Sequence, residues 1–559
     1  QGPGSAPRRT AGPKQAAPAM AAAAGLRAAR SGLWASAGRH AVLPLGARAL
    51  TGLSAVEAPR YTRVPTPKAG AAAPELPELA LSGPRPGRAT GAPNPFAGLP
   101  LDAGAATPAA SSAHAGTASA SSAPETRFAE LPCGTRIVGV DRQGLCSSLG
   151  LFVHTGSRYE PPGRAWLPHA LELMAFRSSA HLSHLRTLKT LEQLGAAASC
   201  RVGREDILYQ VDVLREYVPV ALPLMLGNVL CPSLLPEEVA EARESVADVQ
   251  RSLEENTEGL LAELLHVAAY GGEGLGSPLY ANEEDSKAFT AEALREFLAR
   301  ECTPERLIVV GVNVDFEQLC HWTAWSFADF QPPATSSGSE RVVAPAVYTG
   351  GEQRVAVANP LCHMMFGWEV PGGWNGELLA AVTVLQMFLG GGGSFSTGGP
   401  GKGMHTRMYT EVLNRHHWVE SCQASSVMYA DSGLFTVYAT VVPQHAGAFV
   451  NVLARIFKGV KHISQQELRR AKNALKSSIH MNLEMRGVMM EDVGRQLVLS
   501  GKVGTAQEFG AMVDAVTAED LQRALRLCLR SKPTLLAYGA IDEVPTLERI
   551  AETLGSALP

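Results

Sequence analysis

The pattern of apolar and polar positions divides the chain near residue 126. From Phe128 onward, strand-like segments such as Leu149–Gly156 and Leu434–Val442 alternate with helical segments, and Gly376–Leu389 is typical of a buried helix. Residues 1–125 consist mainly of Ala, Pro, Gly and Ser and offer few large apolar side chains that could pack. We therefore predict a folded region from residue 126 to the end and a largely disordered region over residues 1–125.

The folded region contains two halves with the same order of elements. On each side of residues 331–345 (QPPATSSGSERVVAP), a strand, an amphipathic helix, paired strands, a long apolar helix and a charged helix follow one another. Glu238–Arg243 (EVAEAR) and Glu467–Lys472 (ELRRAK) also place an acid, an aliphatic residue, an alanine and a base at a constant offset of 229 residues. Internal symmetry of this kind indicates a duplicated fold.

We predict an α+β fold of two tandem homologous domains, each a largely antiparallel sheet with helices packed on it, because strands follow strands and helices are grouped. The first domain is placed at residues 126–335, a linker at 336–346 and the second domain at 347–559. The most apolar run, Val218–Cys231, is interrupted by Pro223 and Gly227 and is too short to cross a bilayer. Membrane contact is therefore expected only through partners.

A glycine-rich segment interrupts the second half at residues 390–404 (GGGGSFSTGGPGKGM), where eight of fifteen residues are glycine. Glycine loses the most conformational freedom on folding, so this clustering predicts mobile backbone or close backbone approach to a ligand. A phosphate-binding P-loop is excluded, because its first and last key positions hold Ser396 and Gly403. One interpretation of the segment is a flexible insertion. The other interpretation is a lid or peptide-handling loop, with Phe395 and Lys402 among its large side chains.

A helical segment of the first half resembles an inverted zinc motif that lacks one ligand. In His-x-x-Glu-His, the two histidines bind zinc and the glutamate takes a proton from the metal-bound water. Here His169 and Glu172 have that spacing, but Leu173 occupies the position of the second histidine. The third zinc ligand of the motif is expected near residues 248–250 (DVQ), which contain no glutamate. Other glutamates lie within two helical turns, so the sequence leaves the presence of a third ligand open. We predict no metal site and no intrinsic catalysis in this chain.

The N-terminal region carries a basic stretch without acidic residues. Seven Arg and Lys residues precede Glu57, the first acidic residue, and residues 20–56 space arginines among Ala, Leu and Ser. This composition is typical of an organelle presequence, and residues 1–19 are left out of the fold prediction. The chain has a net charge of -4 that includes those seven cations, so the folded region is more acidic still. An acidic surface favours cationic partners and argues against nucleic-acid binding.

The nine cysteines are scattered and form no Cys-x-x-Cys pair. An odd number of unpaired thiols in a long chain indicates a reducing compartment, in which they act as small apolar residues.

Several short motifs, taken together, resemble one known family. They are 390–404 (GGGGSFSTGGPGKGM), 407–409 (RMY), 412–418 (VLNRHHW), 481–484 (MNLE), 491–496 (EDVGRQ), 156–160 (GSRYE) and 266–270 (HVAAY). The chain resembles the pitrilysin-like metallopeptidases and, among them, the alpha subunits of mitochondrial processing peptidases, which are related to core proteins of the cytochrome bc1 complex. The resemblance covers about residues 128–555, and the glycine-rich motif is its most specific part.

The resemblance implies a division of labour between two subunits. The beta subunit of these peptidases carries the intact zinc motif, so zinc is expected in the partner and no cofactor in this chain. The alpha subunit carries the glycine-rich loop and helps to receive the precursor. The substrate-binding residues that this implies are Gly390, Gly391, Gly392, Gly393, Ser394, Phe395, Gly398, Gly399, Gly401, Lys402 and Gly403.

The implied function is that of a non-catalytic subunit that recognises basic presequence peptides in the mitochondrial matrix and pairs with a beta-type subunit. The alternative is a purely structural core subunit of the bc1 complex, on the matrix side of the inner membrane and in contact with other bc1 subunits. One protein can hold both roles. This sequence departs from its relatives in one place, because Trp166 stands where they have glycine and Pro168 directly precedes the motif. The helix is therefore expected to begin at or just before Pro168.

Overall fold

The computed structural model describes residues 61–63, 126–160, 166–328, 343–394 and 403–556. Within these ranges the chain folds into two β-sheets that are packed with helices. The first half comprises β1 (Thr62–Arg63), β2 (Thr126–Glu130), β3 (Arg136–Val140), β4 (Cys146–Val153), α1 (Leu167–Leu173), α2 (His184–Gln193), β5 (Ala197–Val202), β6 (Ile207–Leu214), α3 (Val218–Leu230), α4 (Pro236–Glu255), α5 (Thr257–Tyr270), α6 (Ala291–Glu301), β7 (Leu307–Val312) and α7 (Phe316–Phe327).

The second half begins with strand β8 and ends with helix α14. It comprises β8 (Glu352–Ala356), β9 (Cys362–Pro371), α8 (Leu379–Leu389), β10 (Gly391–Gly393), a π-helix (Met408–Leu413), β11 (Val419–Met428), β12 (Ser432–Val441), α9 (Ala446–Gly459), α10 (Gln465–Glu484), α11 (Arg486–Ser500), α12 (Ala506–Ala515), α13 (Ala518–Arg530), β13 (Thr534–Gly539) and α14 (Leu547–Gly555). The predicted buried helix before the glycines corresponds to α8. The segment after them forms a short π-helix.

The two sheets share one strand order. The first sheet is ordered β1-β2-β3-β7-β4-β6-β5 and the second β10-β11-β12-β9-β13-β8. The series β3-β7-β4-β6-β5 corresponds to β8-β13-β9-β12-β11, with a parallel first pair and antiparallel pairs thereafter in both halves. This confirms the predicted α+β fold with two tandem, largely antiparallel domains. Strands β1, β2 and β10 are additions outside the shared pattern.

Equivalent helices also confirm the predicted repeat. Helix α4 begins at Pro236 and α10 begins at Gln465, which reproduces the offset of 229 residues read from the sequence. Each helix is 20 residues long. Proline in the first turn starts α4, whereas a capping box between Ser464 and Glu467 starts α10.

Each half supplies a helix that covers the sheet of the other half. Helix α11 places Met490, Val493 and Leu497 against the first sheet, in a cluster with Phe152 and Val310. Helix α5 packs in the same way on the second sheet, against residues of β9, β12 and β13. Close approach of α11 requires glycine, because a Cβ on Gly494 would lie 2.0 Å from the Phe152 ring. The two halves are therefore joined by buried apolar surface.

Residues Thr62–Arg63 lie inside the N-terminal region that the sequence predicts to be disordered. They form β1, which pairs in parallel with β2, and the hydroxyl of Thr62 donates to the Phe128 carbonyl at 2.8 Å. Apart from Tyr61, the rest of residues 1–125, including the predicted presequence at 20–56, lies outside the described residues, as do linker positions 336–342. The predicted domain boundaries stay predictions.

The apolar run of the first half forms α3, with Pro223 inside the helix and most side chains buried. Among the described residues, no helix is long and apolar enough to cross a membrane. All nine cysteines are described and carry free thiols.

Candidate functional site

Helix α1 carries the incomplete zinc motif and begins at a residue in the left-handed region. Trp166 has a φ of 90°, and α1 starts at Leu167 with Pro168 in its first turn, as the sequence predicts. The Glu160 carboxylate accepts hydrogen bonds from the backbone N–H groups of Trp166 and Leu167 at 2.7 Å each. These bonds satisfy two amides that a helix start leaves without partners. A bulky residue such as Trp166 is strained at this positive φ, which glycine would adopt without strain.

His169 is buried, and its Nδ1 atom already accepts a hydrogen bond. The backbone N–H of Ala281 donates to His169 Nδ1 at 3.1 Å, and the ring packs edge-on against Tyr280. Burial lowers the pKa of His169 to about 4, so the ring is neutral at physiological pH. Because Nδ1 accepts this hydrogen bond, the neutral ring carries its own hydrogen on Nε2 and has no free lone pair for a metal.

The two following motif positions do not complete a metal site. Burial raises the pKa of Glu172 to about 7, although the nearby Arg201 opposes the shift. Leu173 is partly buried against the core of the first half and offers no donor atom. Glu241, one of the glutamates near the expected third ligand, pairs instead with Arg177 at 2.6 Å. Across the described residues, no three His, Cys, Asp or Glu side chains group as a metal site. The zinc that a complete His-x-x-Glu-His motif would bind does not fit these residues.

The described start of the glycine-rich segment is a strand at the edge of the second sheet. Gly391, Gly392 and Gly393 form β10 and pair antiparallel with Gln423, Cys422 and Ser421 of β11. Two further backbone bonds fix its ends: Ala424 N–H donates to the Gly390 carbonyl at 2.9 Å, and Ser394 N–H donates to the Glu420 carbonyl at 2.7 Å. The segment therefore begins as sheet backbone, which the sequence did not predict.

Steric restrictions explain why three of these positions hold glycine. Gly390, Gly391 and Gly392 have φ values of 61°, 116° and 156°. A Cβ on Gly391 would lie 2.0 Å from the Cys422 carbonyl oxygen, and one on Gly392 would lie 2.5 Å from the Tyr409 hydroxyl. Gly393 differs, because nothing lies within 4 Å of its Cβ position. Phe395, Gly398, Gly399, Gly401 and Lys402 lie outside the described residues.

An open pocket of about 430 Å³ lies where β10 joins the sheet. Gly393 and Ser394 line it from the glycine-rich segment and Tyr409 from the π-helix. The remaining lining residues come from the adjoining strands and the turn before β9: Leu361, His363, Glu420, Ser421 and Thr440. The sequence analysis predicted Gly393 and Ser394 as site residues but missed the other lining residues. These are far apart in the chain, and only the pairing of strands in the sheet brings them together.

Two lining residues of this pocket, Ser421 and Thr440, belong to a chain of hydrogen-bonded hydroxyl groups. Ser421 Oγ donates to Thr440 Oγ1 at 2.9 Å, and Thr440 Oγ1 donates to the Tyr438 hydroxyl at 2.9 Å. His363 Nδ1 lies 2.9 Å from the same Tyr438 hydroxyl. Burial lowers the pKa of His363, so this ring is neutral at physiological pH.

The first-half motifs at 156–160 and 266–270 do not face the pocket. They contact the turn that joins β11 to β12, where Arg158 forms an ion pair with Asp431. His266 Nε2 lies 2.8 Å from the Tyr429 hydroxyl, and the Tyr270 hydroxyl lies 3.0 Å from Ser432 Oγ. These motifs thus join the two halves, whereas the predicted substrate-binding residues belong to the glycine-rich segment.

Comparison with known proteins places these features in one family. Residues 137–283 match the family model described as Insulinase (Peptidase family M16), and residues 288–475 match the model described as Peptidase M16 inactive domain. The chain is 35% identical over 426 residues to the probable mitochondrial-processing peptidase subunit alpha-1 of Arabidopsis thaliana, covering 75% of this chain and 83% of that protein. It is 33% identical to the mitochondrial-processing peptidase alpha subunits of Solanum tuberosum and Homo sapiens, covering 77% of this chain and 85% of each relative.

These relatives match the chain over most of their length, and the two family models together cover most of its folded part. The chain therefore belongs to the M16 peptidase family and, within it, to the alpha subunits of mitochondrial-processing peptidases.

Proposed function

We propose that this chain is the non-catalytic, substrate-handling subunit of a mitochondrial processing peptidase. It pairs with a beta-type subunit that supplies the zinc site, and it binds the basic presequences of imported precursors. The observation that carries the proposal is the state of helix α1, where Leu173 replaces a ligand and His169 Nδ1 already accepts from Ala281. The zinc site that cleaves the peptide bond must then belong to another chain.

The glycine-rich segment supports the substrate-handling role. Its described start is a sheet edge, and an edge strand presents backbone groups that can pair with an extended peptide of almost any sequence. Presequences share positive charge and little else, so backbone recognition combined with attraction to an acidic surface suits them. The interaction is expected to weaken as salt rises.

The test is reconstitution with a beta-type subunit that carries an intact His-x-x-Glu-His motif. The pair should cleave a presequence peptide, and this chain alone should not. Replacing residues 395–402 by a Ser/Ala segment of equal length should abolish cleavage while the two subunits still co-purify. The replacement spares β10, whose glycines are needed by the sheet itself.

An equal-length Ser/Ala replacement in the predicted linker, residues 333–340, is the matched control and should leave cleavage unchanged. Normal cleavage by the loop variant would refute the substrate-handling role.

Membership of a bc1 complex and the position in the matrix or at the inner membrane stay predictions. Gentle purification from native membranes tests them, because a bc1 core subunit would bring cytochromes b and c1 with it.

A further inference from the structure

A backbone irregularity places Glu420 among the residues that line the pocket beside β10. In the β11–β12 pairing, Val419 faces Val441 and Ser421 faces Thr440, so Glu420 is an extra residue in a β-bulge. A bulge changes the alternation of side chains along a strand. Val419 and Cys422 both enter the core, whereas Glu420 and Ser421 both line the pocket.

The bulge is held by the glycine-rich segment. Ser394 N–H donates to the Glu420 carbonyl at 2.7 Å, directly after the three glycines of β10. The same residue therefore anchors the segment through its backbone carbonyl and lines the pocket. Bulges of this kind are over-represented beside functional sites, where they redirect a side chain.

The other polar groups of the pocket present acceptors. Ser421 and Thr440 have given their hydroxyl hydrogens to the chain that ends at Tyr438, so lone pairs remain for a ligand. The Tyr409 hydroxyl donates to the Gly393 carbonyl at 3.4 Å. Among the described residues that line the pocket, there is no Lys or Arg, and the buried His363 is neutral.

The pocket has room for a long side chain. The volume of about 430 Å³ lies at the lower end of the range for ligand pockets. Leu361 is an apolar lining residue that could contact the methylene groups of a bound side chain. Glu420, Ser421 and Thr440 offer oxygen atoms that could accept hydrogen bonds from its polar end. A guanidinium carries five N–H donors and no acceptor, which matches a pocket of acceptors with one negative charge.

We propose that this pocket is a subsite for one arginine side chain of the bound presequence, with Glu420 as its anionic partner. This inference rests on the proposed function and specifies its substrate contact. Glu420 is exposed and takes no part in the core, so the Glu420→Gln variant is expected to fold normally. It is a binding residue and does not touch the scissile bond.

The experiment uses the reconstituted two-subunit enzyme and a presequence peptide in which each arginine is replaced in turn by citrulline. Citrulline keeps the shape of arginine and removes its charge. At one position, citrulline should raise KM about fivefold with the wild-type chain and leave kcat unchanged, as expected for a partly exposed ion pair. With Glu420→Gln, that increase should disappear, since the carboxylate is already absent.

Glu548→Gln is the matched control, because Glu548 is an exposed glutamate on α14 and the same charge is lost away from the pocket. It should leave the full citrulline effect in place. Glu420→Lys tested with a peptide that carries glutamate at the sensitive position should recover part of the lost affinity.

A Glu420→Gln enzyme that responds to citrulline at every position as the wild type does would overturn the subsite. Failure of the wild-type pair to cleave or bind any of these peptides would instead overturn the proposed function, so the two failures are distinguishable.

Discussion

Arg158 of the first half and Asp431 of the second form a two-pronged ion pair. Nη2 lies 2.6 Å from Oδ2, and Nη1 lies 2.7 Å from Oδ1. Arg158 also donates to the buried carboxylate of Glu205, and its own side chain is only 3% exposed. Although burial opposes the shift, the hydrogen bonds from Arg158 hold the pKa of Asp431 below its usual value. One guanidinium therefore binds carboxyl groups from both halves.

Removing this guanidinium should destabilise the protein. Arg158→Ala leaves Glu205 buried without a cation, and loss of one partner from a buried pair costs about 3 kcal/mol. Urea unfolding should show the loss, and the double variant with Glu205→Gln should recover part of it. Equal unfolding midpoints for wild type and Arg158→Ala would contradict this role.

The glycines of β10 should differ sharply in their tolerance of alanine. Gly391→Ala combines positive φ with a Cβ against the Cys422 carbonyl and should weaken the edge strand by about 2 kcal/mol. Gly393→Ala, two residues on, meets nothing within 4 Å and should change stability by less than about 0.5 kcal/mol.

Hydrogen exchange at the amides of Ser394 and Ala424 checks this difference, since both donate across the edge of the sheet. Equal exchange rates in the two glycine variants would show that steric restriction does not explain Gly391.

The buried Asp492 on α11 should make stability depend on pH. Burial raises its pKa to about 6, despite the hydrogen bond from Gln496 and the charge of Arg495. The folded protein therefore keeps this proton at pH values where the unfolded chain has released it. This contribution to stability is present below about pH 4 and is lost as pH rises through about 6.

Asp492→Asn removes that titration. Its free energy of unfolding should exceed that of wild type at pH 7, and the difference should shrink as the pH falls toward 4. Urea unfolding at several pH values measures it, with the exposed Glu548→Gln as the control. A difference that stays constant over this range would assign the effect to the new amide and not to the proton.

Restoring the missing histidine should not restore zinc. Leu173→His would complete the motif spacing, but His169 Nδ1 stays engaged by Ala281 and the described residues offer no third ligand grouped with it. Metal analysis of the purified variant should give no stoichiometric zinc, with a beta-type subunit as the positive control. One zinc per chain would show that His169 can exchange its hydrogen bond for a metal.

Local sequence signals predicted much of the fold. The offset between Glu238 and Glu467 reappears in the starts of α4 and α10, because charge, aliphatic and alanine positions repeat with the helical period. The start of α1 near Pro168 followed from proline chemistry. The exchange of α5 and α11 between the halves was not predicted, because an apolar helical face does not specify which sheet it covers.

Residue type and spacing are enough to predict the duplicated α+β plan, the missing ligand at Leu173 and the position of the glycine-rich segment. Tertiary structure decided the rest of the site. It turned Gly391–Gly393 into an edge strand, engaged His169 with a backbone amide 112 residues away, and brought Glu420 and Thr440 to one pocket. Strand pairing and burial join residues that are far apart in the chain, and no local pattern encodes which of them will meet.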